Sequence, residues 1–238
     1  MSVPSPALLC GSVRRAQSIV GTSPGRPDGD FYPTPPEATE ALLRVETFCG
    51  TLWEPACGDG AISRVLEAHG HTVRSSDLVP RGYGETPVDF LSFPQAGSVQ
   101  AVVTNPPYCL AEQFVTTALT VATDKVAMLL KLAFLEGVSR KAMFETTPLA
   151  RVWVFSRRLT MTRNGEARTG SGMIAFAWFV WEHGWEGPPR LGWIDTHNAP
   201  AQADAACGVS PGALRSAGRR DAARYEDRRL FRSAAPLG

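Results

Sequence analysis

Asn105-Pro106-Pro107-Tyr108 follows directly on the β-branched-rich run Val99 to Thr104, and this junction constrains the fold more than any other stretch. The run reads as a strand, and the two prolines that follow cannot extend its ladder, so the chain must turn there. Open α/β sheets place their ligand sites at the carboxyl ends of their strands. An amide, a stiff turn and an aromatic ring therefore stand where chemistry is expected. Asn105 offers a carbonyl acceptor and Tyr108 a flat ring for a flat substrate. The residue types point to chemistry on an amino group conjugated with a planar system.

The rest of the pattern alternates helix and strand. Pro35-Pro36-Glu37 opens a helix with Ala38, Ala41, Leu42 and Val45 on its apolar face. Thr51 to Glu54 reads as the first strand, Gly58 and Gly60 as a turn, and Ile62, Val65 and Leu66 as the next helix's buried stripe. Thr72 to Ser76 is the second strand, ending at Asp77, and a third sheet element is expected near Val88. Val99 to Thr104 follows as the fourth strand, Ala111 to Val121 as a helix, and Lys125 to Leu132 as a near-continuously apolar fifth strand suited to a central parallel position. Ala150 to Phe155 and Met173 to Trp181 form a late strand pair across an arginine-rich loop. Trp178 and Trp181 lie three positions apart, so on a strand they face opposite sides and read as packing residues.

Four stretches resemble the amino-methyltransferases that use S-adenosylmethionine, above all the adenine-N6 DNA methyltransferases of bacteria and phages. Phe31-Tyr32-Pro33-Thr34-Pro35 is similar to the family's amino-terminal cofactor motif, and Glu54-Pro55-Ala56-Cys57-Gly58-Asp59-Gly60 to its glycine-rich motif. Asp77 has the place of the acidic residue closing the second strand, and Asn105-Pro106-Pro107-Tyr108 resembles the catalytic motif. With Asp89-Phe90 between them, the cofactor motifs precede the catalytic one, and the resemblance spans Asp30 to Ile194.

The resemblance implies an α/β fold: a Rossmann-like methyltransferase sheet, mostly parallel with a late antiparallel strand, and helices on both faces. It implies S-adenosylmethionine as cofactor, held by Phe31, Tyr32, Thr34, Glu54, Cys57, Gly58, Gly60, Asp77, Asp89 and Phe90. Asp77 would take the ribose hydroxyls, Asp89 the adenine amine and Phe90 the adenine ring. Asn105, Pro106 and Tyr108 would act on the target, with Pro107, Tyr108, Arg157, Arg158, Arg163 and Asn164 on the substrate side. The implied reaction is methyl transfer to the N6 amine of adenine in DNA. Two alternatives stay open: a protein-glutamine or RNA amino-methyltransferase, and an inactive methyltransferase-like module that binds nucleic acid.

Composition bounds the remainder. A chain of 238 residues with 44% hydrophobic content can form one substantial domain. The expected organisation is a flexible segment 1–29, a catalytic domain 30–194 and a basic appendage 195–238. That appendage leaves little room for a recognition domain, so a homodimer or a separate recognition subunit is left open. The net charge of +1 does not announce nucleic acid. The arginines gathered at Arg157, Arg158, Arg163 and Arg168, and again from Arg215 to Arg232, suit phosphate contacts, though a solvated surface explains them equally well. No apolar segment is long enough to span a bilayer and no signal peptide is evident, so a cytoplasmic, bacterial or phage-related protein without a membrane partner is expected. Cys10, Cys49, Cys57, Cys109 and Cys207 show no disulfide or metal spacing and are expected reduced. His69, His71, His183 and His197 form no metal-ligand pattern, so no metal is expected.

Overall fold

A computed structural model describes residues 32–93, 95–161 and 174–197. Seven strands form one sheet: β1 (Thr51–Glu54), β2 (Thr72–Ser75), β3 (Val99–Thr104), β4 (Ala122–Lys131), β5 (Leu149–Phe155), β6 (Phe176–Glu182) and β7 (Arg190–Ile194). Their order is β2-β1-β3-β4-β6-β5-β7. β1 pairs in parallel with β2 and β3, and β3 with β4. β6 runs antiparallel to both β4 and β5, while β7 is parallel to β5. Six strands thus share one direction and β6 alone opposes them.

Among the described residues four α-helices cover the sheet: α1 (Pro36–Leu43), α2 (Ala61–Ala68), α3 (Ala111–Val121) and α4 (Val138–Thr146). Strand alternation sends side chains to two faces, and each face meets helices. Leu52, Ala101, Val103, Ala127, Leu129, Trp178 and Val180 pack with Ala38, Ala41 and Leu42 of α1 and with Ile62 and Leu66 of α2. Trp53, Val102, Val126, Met128, Leu130, Phe179 and Trp181 pack with Phe114, Val115, Ala118 and Val121 of α3. Met143 and Phe144 of α4 lie against this second core. Trp178 and Trp181 sit in opposite cores, both fully buried, and each indole is satisfied. Trp178 Nε1 donates to the Ala38 carbonyl at 2.8 Å and Trp181 Nε1 to Thr147 Oγ1 at 3.1 Å.

Three elements differ from the sequence pattern. Among the described residues no strand forms near Val88; a single bridge joins Ser76 to Glu85 instead. The stretch Pro80 to Pro94 carries three prolines and two glycines; the prolines lack N–H donors and the stretch has too little alternation for a ladder. β2 is therefore an edge strand, and the Arg74 guanidinium lies over the rings of Trp53 at 4.2 Å and Phe93 at 5.0 Å. Helix α4 and strand β7 form where no element was expected. α4 has no buried residue, and β7 is mostly exposed, so neither carries a strong apolar period. Val45 lies beyond the end of α1 and is 38% exposed rather than on its buried face.

The topology brings the carboxyl ends of β1, β2, β3, β4 and β5 to one edge. The start of antiparallel β6 lies at the same edge. Glu54, Asp77, Asn105, Lys131, Arg157 and Phe176 are placed there by chain direction alone.

Candidate active site

Asn105 leaves β3 half-buried, and its amide is bound on one side only. Nδ2 donates to Thr34 Oγ1 at 3.1 Å and to the Tyr32 carbonyl at 3.4 Å. A backbone carbonyl only accepts, so the amide nitrogen must face it. Oδ1 is buried and has no hydrogen-bond partner among the described residues. A buried acceptor without a donor costs about 1–3 kcal/mol, and native structures seldom keep one without a use.

Pro106 is buried, and Pro107 holds φ −54° and ψ 118° before the 3-10 turn Tyr108–Leu110. The Leu110 amide closes this turn on the Pro107 carbonyl at 2.9 Å. The Tyr108 ring lies 6.0 Å from Phe176, tilted by 37°, and 4.8 Å from the Lys131 ammonium. A recess of about 590 Å³ is lined by Leu132, Ala133, Leu135, Glu136, Ile174 and Ala175. These residues continue directly from Lys131 and lead directly into Phe176, so the recess belongs to the same edge of the sheet.

The glycine-rich turn is knitted to the end of β2. Gly58 adopts φ 57° and donates its N–H to Asp77 Oδ2 at 2.9 Å, while Asp77 Oδ1 accepts from Val79 N at 2.8 Å. Cys57 N donates to the Ser76 carbonyl at 3.0 Å. Each Asp77 oxygen retains a lone pair for a further donor. Gly60, at φ 86°, is open toward Tyr83: a Cβ there would stand 2.6 Å from that ring. Tyr83 is fixed by its hydroxyl bond to Glu67 Oε1 at 2.7 Å and by the Arg64 guanidinium 4.6 Å from its ring centroid. At Gly60 the missing side chain thus admits a protein ring.

Glu54 is 2% exposed. Its Oε2 accepts from the Ser63 amide at 2.8 Å and from the Ser63 hydroxyl. Burial pushes its carboxyl well above the ordinary range, against the lowering effect of the Ser63 bonds. The side chain joins β1 to the first turn of α2. The buried Cys57 thiol is pushed up to about 12, first by burial and then by the charges of Glu54 and Asp77, which suits packing and not nucleophilic attack.

Asp89 and Phe90 part company. Asp89 is exposed and caps the 3-10 turn Phe90–Ser92, accepting from Leu91 N at 3.1 Å and Ser92 Oγ at 2.7 Å. Phe90 is 2% exposed, with Trp53 and Phe114 each 5.1 Å away. The ring expected to meet a cofactor's adenine is occupied by the core, because the turn directs it inward.

Arg157 and Arg158 follow the carboxyl end of β5 and are exposed. With a strand spacing of roughly 4.8 Å, three strand steps separate them laterally from Asn105. Arg157 Nε lies 3.8 Å from Asp195 Oδ2. The Asp195 carboxyl is held below its usual range, chiefly by the His197 backbone N–H. Phe31, Arg163, Asn164, Arg168, the segment 1–29 and residues 198–238 lie outside the described residues.

The edge therefore unites Tyr32, Thr34, Asn105 and Tyr108 in one group and Gly58 with Asp77 in another. Lys131, Phe176, Tyr83 and Ser63 join them without having been singled out by the sequence. Lys131 carried a usable signal, a cation closing the apolar run Val126 to Leu130; the others carried none. Cys57 and Cys109 are free thiols. His69 and His71 flank the turn between α2 and β2, and His183 and His197 are exposed. No group of three metal-ligating side chains occurs among the described residues, and no helix among them is long and apolar enough to cross a membrane.

The strand order, with one antiparallel strand inserted between parallel ones, settles the architecture. The fold is a Rossmann-like α/β fold, a mostly parallel sheet with one antiparallel strand and helices on both faces. No family model matches the chain, and no curated protein matches it. Among solved structures it is similar to a protein named as a modification subunit of a type I restriction enzyme from Vibrio vulnificus YJ016, with TM-score 0.48 and 14% identity over 70% of this chain. The chain spans 48% of that structure's length. It is also similar to a protein named as an RNA methyltransferase from Pyrococcus horikoshii, with TM-score 0.47, 13% identity and coverage of 64% and 87%. The 23S rRNA methyltransferase ErmE gives TM-score 0.43 and 17% identity, covering 64% of this chain and 68% of that one.

Proposed function

We propose that the chain transfers a methyl group from S-adenosylmethionine to the exocyclic N6 amine of adenine in DNA. The observation that carries this reading is the buried Oδ1 of Asn105, which has no partner among the described residues. An exocyclic amine has two hydrogens to donate and a lone pair delocalised into its ring. Asn105 Oδ1 and the Pro106 carbonyl would accept those hydrogens, favouring a more pyramidal nitrogen with its lone pair turned to the methyl carbon. Tyr108 would stack on the extruded base. The rate would come from alignment and from acceptors already in place.

S-adenosylmethionine supplies an electrophilic sulfonium methyl when bound. The spare lone pairs of Asp77 suit ribose hydroxyls, and the left-handed turn at Gly58 keeps the backbone close to them. Asp89 is exposed and able to accept an amine. Phe90 has no part in this reading, and Glu54 supports the loop through Ser63. After transfer the surplus N6 proton leaves to solvent.

Residues 30–194 form the catalytic domain in this proposal. Arg157 and Arg158, with Arg163, would engage the phosphate backbone at the target entry. DNA selectivity would be modest, or supplied by a second subunit or a second copy.

The test is transfer from labelled S-adenosylmethionine to double-stranded DNA, to RNA and to glutamine-containing peptides, followed by nucleoside and residue analysis. N6-methyladenine in DNA is the expected product. Label confined to RNA or peptide would move the substrate, N4-methylcytosine would move the base, and cofactor binding without transfer would leave a binding module. Neutralising Arg157, Arg158 and Arg163 together should weaken DNA binding and flatten its salt dependence; an unchanged salt titration would remove them from the interface.

A further inference from the structure

We infer that Thr34 is a positioning residue for the transfer step, locking the Asn105 amide in the orientation that presents its carbonyl to the target amine. The inference rests on the methyltransferase reading and assigns Thr34 a task other than holding cofactor. A primary amide has two faces of opposite character, and a half-turn about its last torsion exchanges donor for acceptor. Rotated, Asn105 would offer N–H groups to an amine that itself donates, and the site would repel its target. Something must hold the orientation.

Two oxygens do so. The Tyr32 carbonyl at 3.4 Å and the Thr34 hydroxyl at 3.1 Å both receive Nδ2. Thr34 provides the shorter bond and is itself 4% exposed, so water does not compete for it. The hydroxyl group can accept or donate, but the Tyr32 carbonyl only accepts and so makes the pair directional. The orientation of Thr34 is fixed in turn by the chain around it. Pro33 and Pro35 flank it, and the Ala38 amide bonds to the Pro35 carbonyl at 2.9 Å as α1 begins. Segment 32–34 thus reaches across about seventy residues of sequence to complete the group that touches the target, and Oδ1 is left buried without a donor among the described residues. A bond serving only to pin the segment would not require that orphaned acceptor.

The test compares Thr34→Val, which keeps shape and removes the hydroxyl, with Thr34→Ser, which restores it. With DNA and S-adenosylmethionine both saturating, Thr34→Val should lower the single-turnover rate by about tenfold to a hundredfold, the scale of small misplacements at a reacting centre. Thr34→Ser should recover most of the rate, and the dissociation constant for S-adenosylmethionine should stay unchanged in both. A raised cofactor dissociation constant with an unchanged saturated rate would overturn the inference in favour of a cofactor contact. A second measurement needs no turnover: the side-chain NH2 resonances of Asn105, identified by their loss in Asn105→Ser, in the protein without cofactor or DNA. They should be shifted and slow to exchange in the wild type and in Thr34→Ser, and close to those of a solvated amide in Thr34→Val. Resonances indifferent to Thr34→Val would overturn the lock alone. Absence of any transfer by the wild-type protein would overturn the methyltransferase reading and the positioning role with it.

Discussion

Lys131 and Phe176 are register partners across β4 and β6, and the Tyr108 ring meets both of them. Directly opposed residues on paired strands send their side chains to one face. One face of the ring thus has a cation 4.8 Å from its centroid, where a base stacking on Tyr108 would need room. A base arriving there brings a phosphate with it, and the ammonium has reason to move from ring to phosphate. Replacing Lys131→Met should raise the KM for DNA and lower the salt slope of binding by about one. The saturated single-turnover rate should change far less. A salt slope equal to the wild type's would show that Lys131 meets no phosphate.

Asn105 and Tyr108 make separate demands on the same step. Asn105→Ala should leave the protein folded and cost about 2.7–4 kcal/mol of transition-state stabilisation, the scale of losing one placed donor or acceptor. Tyr108→Phe should keep most of the stacking, whereas Tyr108→Ala should weaken target binding and alignment together. Near-normal single-turnover rates in both alanine variants would remove the site from the reaction.

Stability should be separable from these effects at the opposite end of the strands. Glu46 is 4% exposed and accepts from Lys125 Nζ at 3.3 Å, Arg151 Nη2 at 3.0 Å, Arg151 Nε and Trp153 Nε1 at 2.8 Å. Removing one partner of a buried ion pair strands the others, at roughly 3–5 kcal/mol. Glu46→Ala should therefore shift the urea midpoint strongly while the folded fraction keeps its turnover. A loss of turnover per folded molecule would mean that this network reaches the site.

The parts of the fold legible in the sequence were those with strong periodicity. β1, β3, α3 and the β5–β6 pair follow their apolar patterns closely because both sheet faces are buried. α4 and β7 escaped because exposed elements need no apolar stripe, and the region near Val88 failed as a strand because its prolines withhold donors and its glycines offer no side chain to pack. Within the site, Asn105 and Tyr108 were legible from their place after a strand. The bond from Asn105 to Thr34 was not, since it closes a gap in sequence that only the tertiary fold brings together. Phe90 shows the converse: a motif neighbour of Asp89 in sequence, it turns into the core and leaves the edge.

Gly60 and Tyr83 offer a test of how the glycine loop is held. A Cβ at position 60 would meet the Tyr83 ring at 2.6 Å in a backbone of φ 86°. Both the collision and the left-handed conformation penalise Gly60→Ala, the latter by about 1–2 kcal/mol. Tyr83→Ala should relieve the collision and leave the conformational cost, so the double variant should be more stable than the two single losses added together. Strict additivity in denaturant unfolding would show that the ring is not what fills the space at Gly60.

Glu54 predicts a pH dependence whose sign is fixed by its burial. Its carboxyl is pushed well above the ordinary range, with burial the largest cause, so the folded protein holds the proton more tightly than the unfolded chain does. The contribution of this group to stability is then fully present below the ordinary carboxylate range and is lost as pH rises through the raised folded value. Glu54→Gln keeps an oxygen to accept from the Ser63 amide and hydroxyl but cannot ionise. The difference in unfolding free energy, wild type minus Glu54→Gln, should fall as pH climbs across that window and level off beyond it. Urea unfolding of both proteins at a series of pH values measures the difference directly. A difference that rises with pH would mean that the charged carboxylate is the favoured form, held by its Ser63 bonds in spite of burial.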